Sequence, residues 1–170
     1  YGEANNEMKT FLRERGYKII LHLVGGSKIG SKSEKRLLNS ISDLDPYRKY
    51  TKLYEFLDTK SIIKIMEVSK IFLFASSCEN MPNTLLDGMA SGLPIVCSNR
   101  GPMPEVLQDA GLYFDPESPI SIAKATEKVI KDEKLRVKIS KSSKEISKRF
   151  NWQKTSIQTL EFLEITLNKF

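Results

Sequence analysis

Two carboxylates, Glu79 and Asp87, stand eight residues apart, and their setting is the part of this chain most suited to chemistry. They lie in the stretch Ser76-Ser-Cys-Glu-Asn-Met-Pro-Asn-Thr-Leu-Leu-Asp-Gly-Met-Ala-Ser-Gly-Leu-Pro-Ile-Val-Cys97. It reads as a strand exit, a polar loop bearing Glu79, a helix, a glycine turn and a second strand. Backbone N–H groups at the start of that helix, around Asn83–Leu85, have no carbonyl partners within it and are expected to be free to cradle an anion. Asp87, one turn further on, has two readings: a partner for the helix dipole or a ligand-binding carboxylate. Two carboxylates around a phosphate-sized nest suit a ligand with hydroxyls at both ends and phosphates between. A nucleotide sugar has that shape.

Other reactive side chains offer less. His22, the only histidine, sits inside the apolar run Ile19–Val24 with no serine, cysteine or second histidine arranged around it, and reads as a structural strand residue. Cys78 and Cys97 lack metal-ligand spacing and form no disulfide framework. Both follow apolar strand-like runs, so buried, reduced thiols are expected, which fits a cytoplasmic chain. There is no histidine cluster, and no metal is expected.

The elements that must position this stretch alternate between helix and strand. Glu3–Arg15 carries Met8, Phe11 and Leu12 on one face, and Gly16 ends it. Lys18–Val24 is β-rich and stops at Gly25-Gly26-Ser27. A short helix over Ser33–Ile41 is broken by Asp45-Pro46, and Thr51–Leu57 is a strand candidate. Thr59 is expected to cap a helix through Ser69. Ile71–Ala75 is a continuous apolar run, as a central parallel strand buried on both faces would be. A helix over Asn83–Ala90 and a strand over Leu93–Cys97 follow. Next come a short helix near Pro104–Gln108, a strand at Leu112–Phe114, and helices over Pro119–Lys131, Glu133–Lys148 and Trp152–Asn168. This order predicts a single α/β domain over residues 1–170, a Rossmann-like doubly wound parallel sheet with helices on both faces. In such sheets ligands bind outside the carboxyl ends of the strands. The loops after Val24, Leu57, Ala75 and Cys97 are therefore the ones that matter.

Composition narrows the class. The chain is 40% hydrophobic and 28% charged, ordinary for a globular protein, and no apolar run reaches the roughly 20 residues of a membrane helix. It opens on polar residues that read as a helix already under way, without an initiator Met, so a piece of something longer is expected. The net charge of +6 is concentrated late, where Lys134, Arg136, Lys138, Lys141, Lys144, Lys148 and Arg149 surround an apolar stripe of Leu135, Ile139, Ile146 and Phe150. That pattern is usually a solvated helix face; the other reading is attraction to an anionic membrane surface or acidic substrate. Nucleic acid is not expected as a partner, because no stacking aromatics are interleaved with the basic residues.

Several segments, in order, resemble the glycosyltransferase family 4 group, whose members have the GT-B architecture. Glu79, seven residues, Asp87 and then Met89-Ala90-Ser91-Gly92-Leu93-Pro94-Ile95-Val96 is similar to that group's acidic motif, with Asp in place of the second Glu. Ser98-Asn-Arg-Gly-Pro-Met-Pro-Glu105 resembles its Gly-x-x-Pro-Glu segment, and Gly111-Leu-Tyr-Phe-Asp-Pro116 its Gly-hydrophobic-Asp-Pro turn. Phe150-Asn-Trp152 looks like the opening of its final crossover helix, and Leu23-Val-Gly-Gly26 like its first glycine-ended strand. Motifs in register along nearly the whole chain are far more specific than any one of them.

The resemblance implies the C-terminal, donor-binding half of a retaining glycosyltransferase that needs no metal or other cofactor. Glu79 would hold hydroxyls of the transferred sugar, as the catalytic residue. Backbone amides of Asn80, Met81, Pro82 and Asn83 would lie against sugar and phosphates, and Thr84 and Leu85 would bind the diphosphate. Asp87 would take the ribose hydroxyls. Tyr54, Phe56 and Leu57 would border the base, and Gly25, Gly26 and Ser27 would line the same cleft. The donor would be a UDP-sugar, with guanosine diphosphate also open, and the transferred group a hexose or N-acetylhexosamine. The acceptor, a glycan or lipid-linked glycan of a bacterial surface polysaccharide such as O-antigen or lipopolysaccharide, would be held by an N-terminal domain. Helix 152–168 would cross toward that domain, leaving Ile157, Leu160, Phe162, Leu163, Ile165 and Leu167 partly exposed here. Peripheral contact with the inner face of the cytoplasmic membrane would follow. The other readings are a nucleotide-binding module without transfer chemistry, another GT-B enzyme such as a sugar-nucleotide epimerase or a phosphorylase, and a generic flavodoxin-like domain.

Overall fold

A computed structural model describes residues 2–25 and 30–168. The elements run α1 (Gly2–Glu14), β1 (Leu21–Val24), α2 (Lys32–Leu44), β2 (Thr51–Tyr54), α3 (Thr59–Val68), β3 (Phe72–Phe74), α4 (Asn83–Ser91), β4 (Ile95–Ser98), α5 (Met103–Leu107), β5 (Gly111–Phe114), α6 (Pro119–Lys131), α7 (Glu133–Ser147) and α8 (Trp152–Leu167). Every described strand pair is parallel, as strand–helix–strand connections require. Among the described residues the ladders form two groups, β1-β2 and β3-β4-β5.

Alternation along β4 explains the layering. Ile95 and Cys97 point to one side, packing with Leu85 and Met89 of α4 and Met103 and Leu107 of α5. Val96 points to the other, with Met8 and Leu12 of α1 and Ile122, Ala123 and Val129 of α6. Side chains of successive strand residues face opposite ways, so one strand buried throughout must be covered on both faces. β4 is buried throughout, and β3 is covered on both faces as expected for Ile71–Ala75, Phe74 packing in the first group and Ile71, Leu73 and Ala75 in the second. Phe72 and Leu73 stay half-buried; among the described residues β3 pairs only with β4.

Local chemistry sets the element ends. Gly16, at φ 86°, closes α1, and Gly92, at φ 76°, closes α4, a conformation that costs glycine little. The Ser140 hydroxyl of α7 donates to the Gly92 carbonyl and ties that turn down. Asp58 caps α3, its carboxylate accepting from the Ser61 N–H at 2.7 Å; Thr59, expected as the cap, is the first helical residue. An aspartate one residue earlier reaches that amide and brings charge to the positive end of the helix. At Gly88 a Cβ would lie 2.6 Å from ring carbons of Phe72, so the missing side chain lets α4 settle directly on β3.

One buried polar cluster ties the smaller sheet to the helices. Lys9 of α1 is fully buried, donating to the Thr51 hydroxyl at 2.6 Å and lying 3.4 Å from the Asp45 carboxylate. Asp45 ends α2 and also accepts from the N–H groups of Lys49 and Tyr50. The start of β2 is thereby fixed to both α1 and α2.

Candidate functional site

Because the pairs are parallel, the loops after β1 and β2 leave one edge of the smaller ladder together, and those after β3 and β4 leave one edge of the larger. β3 delivers the chain through buried Ala75 into the polar loop 76–82, where the Ser76 hydroxyl donates to the Cys78 carbonyl at 3.3 Å. Glu79 is half-buried there. The loop after β4 comes against it: a Cβ on Gly101, which sits at φ 53°, would stand 3.9 Å from the Glu79 carbonyl oxygen. The positive φ favours glycine at this turn, while the 3.9 Å separation is ordinary contact that a side chain would also tolerate. Arg100, to which the sequence assigned no role, is held beside that turn by Asp115 at 3.3 Å and Glu117 at 3.8 Å.

The α4 N-terminus is open. Its N-cap is Pro82, which supplies no side-chain cap. Not all of the amides expected to be free are so, however. The Pro82 carbonyl accepts from both Leu85 (2.9 Å) and Leu86 (3.1 Å), and the Met81 carbonyl takes the Asn83 N–H at 2.9 Å. The tight turn through Met81-Pro82 thus satisfies its own neighbours. Among the described residues only the Thr84 amide, of the three, has no protein partner. Asn80, Met81, Asn83 and Thr84 are exposed, whereas Pro82 is buried and Leu85 is a core side chain with no exposure.

Asp87 is exposed and is the fifth residue of α4, whose first turn holds no acid. The dipole effect fades beyond the first turn, so the purely structural reading of this carboxylate loses its main support.

On the smaller sheet, Gly25 follows β1 at φ 133° and donates to the Tyr54 carbonyl at 3.0 Å, which joins the β1 and β2 exits. Gly26 and Ser27 lie outside the described residues. Beyond β2, Leu57 is half-buried while Phe56 is 79% exposed. Tyr54 stacks on His22 with ring planes 3° apart, its hydroxyl 3.3 Å from Nδ1. Burial, followed by the nearby Lys52, lowers the His22 pKa. The histidine is a strand residue, as read from the sequence, and it also braces a candidate base-bordering tyrosine.

The cysteines divide. Cys97 is buried in β4, and burial pushes its thiol up to about 12. Cys78 is exposed, contrary to expectation, because it lies in the polar loop beyond β3 instead of continuing the strand.

These features define a Rossmann-like α/β domain with an uncapped helix N-terminus, one carboxylate, Glu79, in the loop before it and a second, Asp87, one turn inside the helix. The family described as "Glycosyl transferases group 1" matches residues 6–146, and the chain belongs to that family. O-antigen chain mannosyltransferase B of Escherichia coli is 30% identical over 92 residues, 54% of this chain and 24% of that protein. The fold is similar to that of a glycosyltransferase from Rickettsia africae, with TM-score 0.83 and 19% identity, covering 98% of this chain and 44% of that one. It is also similar to Anabaena HepE, solved in complex with UDP-glucose, with TM-score 0.79 and 20% identity over 92% of this chain and 44% of that one. The chain spans from 24% to 40% of the length of the curated relatives it matches. The fold is thus that of a GT-B Rossmann-like domain.

Proposed function

We propose that this chain forms the donor half of a retaining glycosyltransferase, which transfers a hexose or N-acetylhexosamine from a nucleotide sugar to a glycan or lipid-linked acceptor. The observation that carries the reading is the uncapped α4 N-terminus, with the Thr84 amide unpartnered among the described residues, set between half-buried Glu79 and exposed Asp87. A diphosphate at that terminus meets both an N–H donor and the positive end of the helix. Asp87 then binds the ribose hydroxyls, Glu79 the hydroxyls of the sugar, and Phe56 borders the base. Catalysis consists of holding the sugar for attack and stabilising the departing diphosphate, and no metal enters the scheme. The acceptor is held by a second domain that α8 crosses to meet. A uridine nucleotide is the preferred donor, a reading supported by the likeness to a protein solved with UDP-glucose. A surface polysaccharide as product is supported by the O-antigen mannosyltransferase among the relatives.

Calorimetric titration with uridine and guanosine diphosphates tests the assignment. One nucleotide binds, and Asp87→Ala weakens it about tenfold or more, the loss of hydrogen bonds to a charged group. Glu79→Ala leaves the affinity for the bare nucleotide unchanged and weakens only the sugar-bearing form. If neither nucleotide binds at millimolar concentration, the donor site is not here; if both variants lose affinity for the bare nucleotide equally, the two carboxylates do not serve opposite ends of the donor.

A further inference from the structure

The whole surplus of positive charge lies on two helices and the residues that join and end them, remote from the donor loops in sequence. Residues 119–149 hold ten basic and four acidic side chains, a surplus equal to the +6 of the entire chain; elsewhere seventeen basic residues meet seventeen acidic ones.

The arrangement of these charges is one-sided. α7 buries Ile139, Ser143 and Ile146, and its exposed side presents Lys134, Lys138 and Lys141 at successive turns. Lys124, Lys128 and Lys131 of α6 and Lys134 of α7 line an open groove with the acids Glu127, Asp132 and Glu133, so a strip of lysines runs across the join of the two helices with a net positive charge. Most of the acids nearby are already engaged. Glu127 is bonded by Tyr17 at 3.1 Å and Lys131 at 2.9 Å, Asp132 caps α7, and Glu145 pairs with Lys148 at 2.6 Å. Only Glu133 stands in the strip without such a partner among the described residues.

We infer that the outer face of α6 and α7 docks this chain on an anionic lipid surface. The chemistry of the strip favours lipid over other polyanions. It is built from lysines, strongly hydrated point charges suited to a diffuse negative surface. Its one mid-helix arginine, Arg136, donates instead to the Val129 and Ile130 carbonyls at the end of α6. No aromatic side chain interrupts the lysines as base stacking would require. The large apolar side chains exposed among them, Ile120 and Val137, are single and small enough to enter a headgroup layer. This inference does not depend on the donor site, and its test does not involve nucleotide.

The test is sedimentation of the 170-residue chain with phosphatidylcholine vesicles, with and without phosphatidylglycerol. The chain pellets with the anionic vesicles only. Raising salt from about 0.1 M to about 0.5 M releases it, because the screening length contracts from about 10 Å. The triple change Lys134→Gln, Lys138→Gln and Lys141→Gln lowers partitioning at least tenfold, each lysine near a charged surface being worth about fivefold. The triple change Lys60→Gln, Lys64→Gln and Lys70→Gln, which removes equal charge from exposed positions in and beside α3, leaves it within twofold, well below about fivefold per residue. Circular dichroism confirms that both variants are folded. The inference is overturned if anionic vesicles do not retain the chain, if neutral vesicles retain it equally, or if both triple variants lose partitioning alike. A single-stranded oligonucleotide bound through the same three lysines, with vesicles ignored, overturns it in favour of nucleic acid.

Discussion

The Lys9 ammonium lies 3.4 Å from the Asp45 carboxylate, with the Lys9 side chain fully buried and that of Asp45 nearly so, at the point where α1, the end of α2 and the start of β2 meet. Removing one partner of such a pair strands the other in a low-dielectric site. Lys9→Met is therefore expected to cost about 3 kcal/mol of unfolding free energy, and Lys9→Met with Asp45→Asn less than either single change. Urea denaturation of the three variants measures the coupling; simple additivity would show that the two groups act independently.

The same cluster sets an acid limit. Burial pushes the Asp45 carboxyl up, but the Tyr50 N–H, the Thr51 hydroxyl, Lys9 and the Lys49 N–H outweigh it and hold its pKa below the ordinary value of 3.8. Below pH 4 or so the unfolded chain therefore takes up this proton before the folded one, and stability falls as pH drops through that range. Above it the contribution is complete. Asp45→Asn should flatten this part of the stability profile, measured by thermal melting as a function of pH.

Gly88 adjoins Asp87, and a Cβ there would lie 2.6 Å from the Phe72 ring. Gly88→Ala gains about 1 kcal/mol of helix propensity, but overpacking costs about 1–3 kcal/mol. A net loss is expected, together with weaker nucleotide binding as α4 is pushed off β3. Phe72→Leu in the same chain should restore part of both. Unchanged affinity and stability in Gly88→Ala would mean that the ring gives way freely.

Much of this was legible because it depends on nearest neighbours in the chain. Apolar runs marked β3 and β4, and Gly92 marked the turn that precedes β4. The span of α6 coincides with the one expected, bounded by Pro119 and by Asp132, where the next helix is capped. What could not be read depends on contacts across the fold. Lys9 looks like any helix-surface lysine until Asp45 and Thr51, 36 and 42 residues away, are brought over it. The occupied amides of Asn83 and Leu85 follow from how tightly Met81-Pro82 turns, and composition does not report that. The exposure of Cys78 depends on β3 ending at Phe74.

Phe56 gives the sharpest separation between a binding surface and a stabilising one. At 79% exposure it contributes little to the core, and it follows β2 two residues after the Tyr54 that stacks on His22. A large aromatic ring at a strand exit, beside the glycine-ended β1, presents a face on which a nucleobase can rest. Stacking of a base on an aromatic side chain is worth about 1–3 kcal/mol. Phe56→Ala should therefore weaken nucleoside diphosphate binding about fivefold or more while shifting the melting temperature by less than about 2 °C, since an exposed side chain changes stability by under roughly 0.5 kcal/mol. Phe56→Tyr should retain the affinity. His22→Phe supplies the contrast: it removes the hydrogen bond to Tyr54 within a half-buried strand and should lower stability first, with affinity following only as Tyr54 loosens. If Phe56→Ala binds nucleotide as well as the parent chain, the base does not rest on this loop, and the α4 terminus must then hold the ligand through its diphosphate and ribose alone.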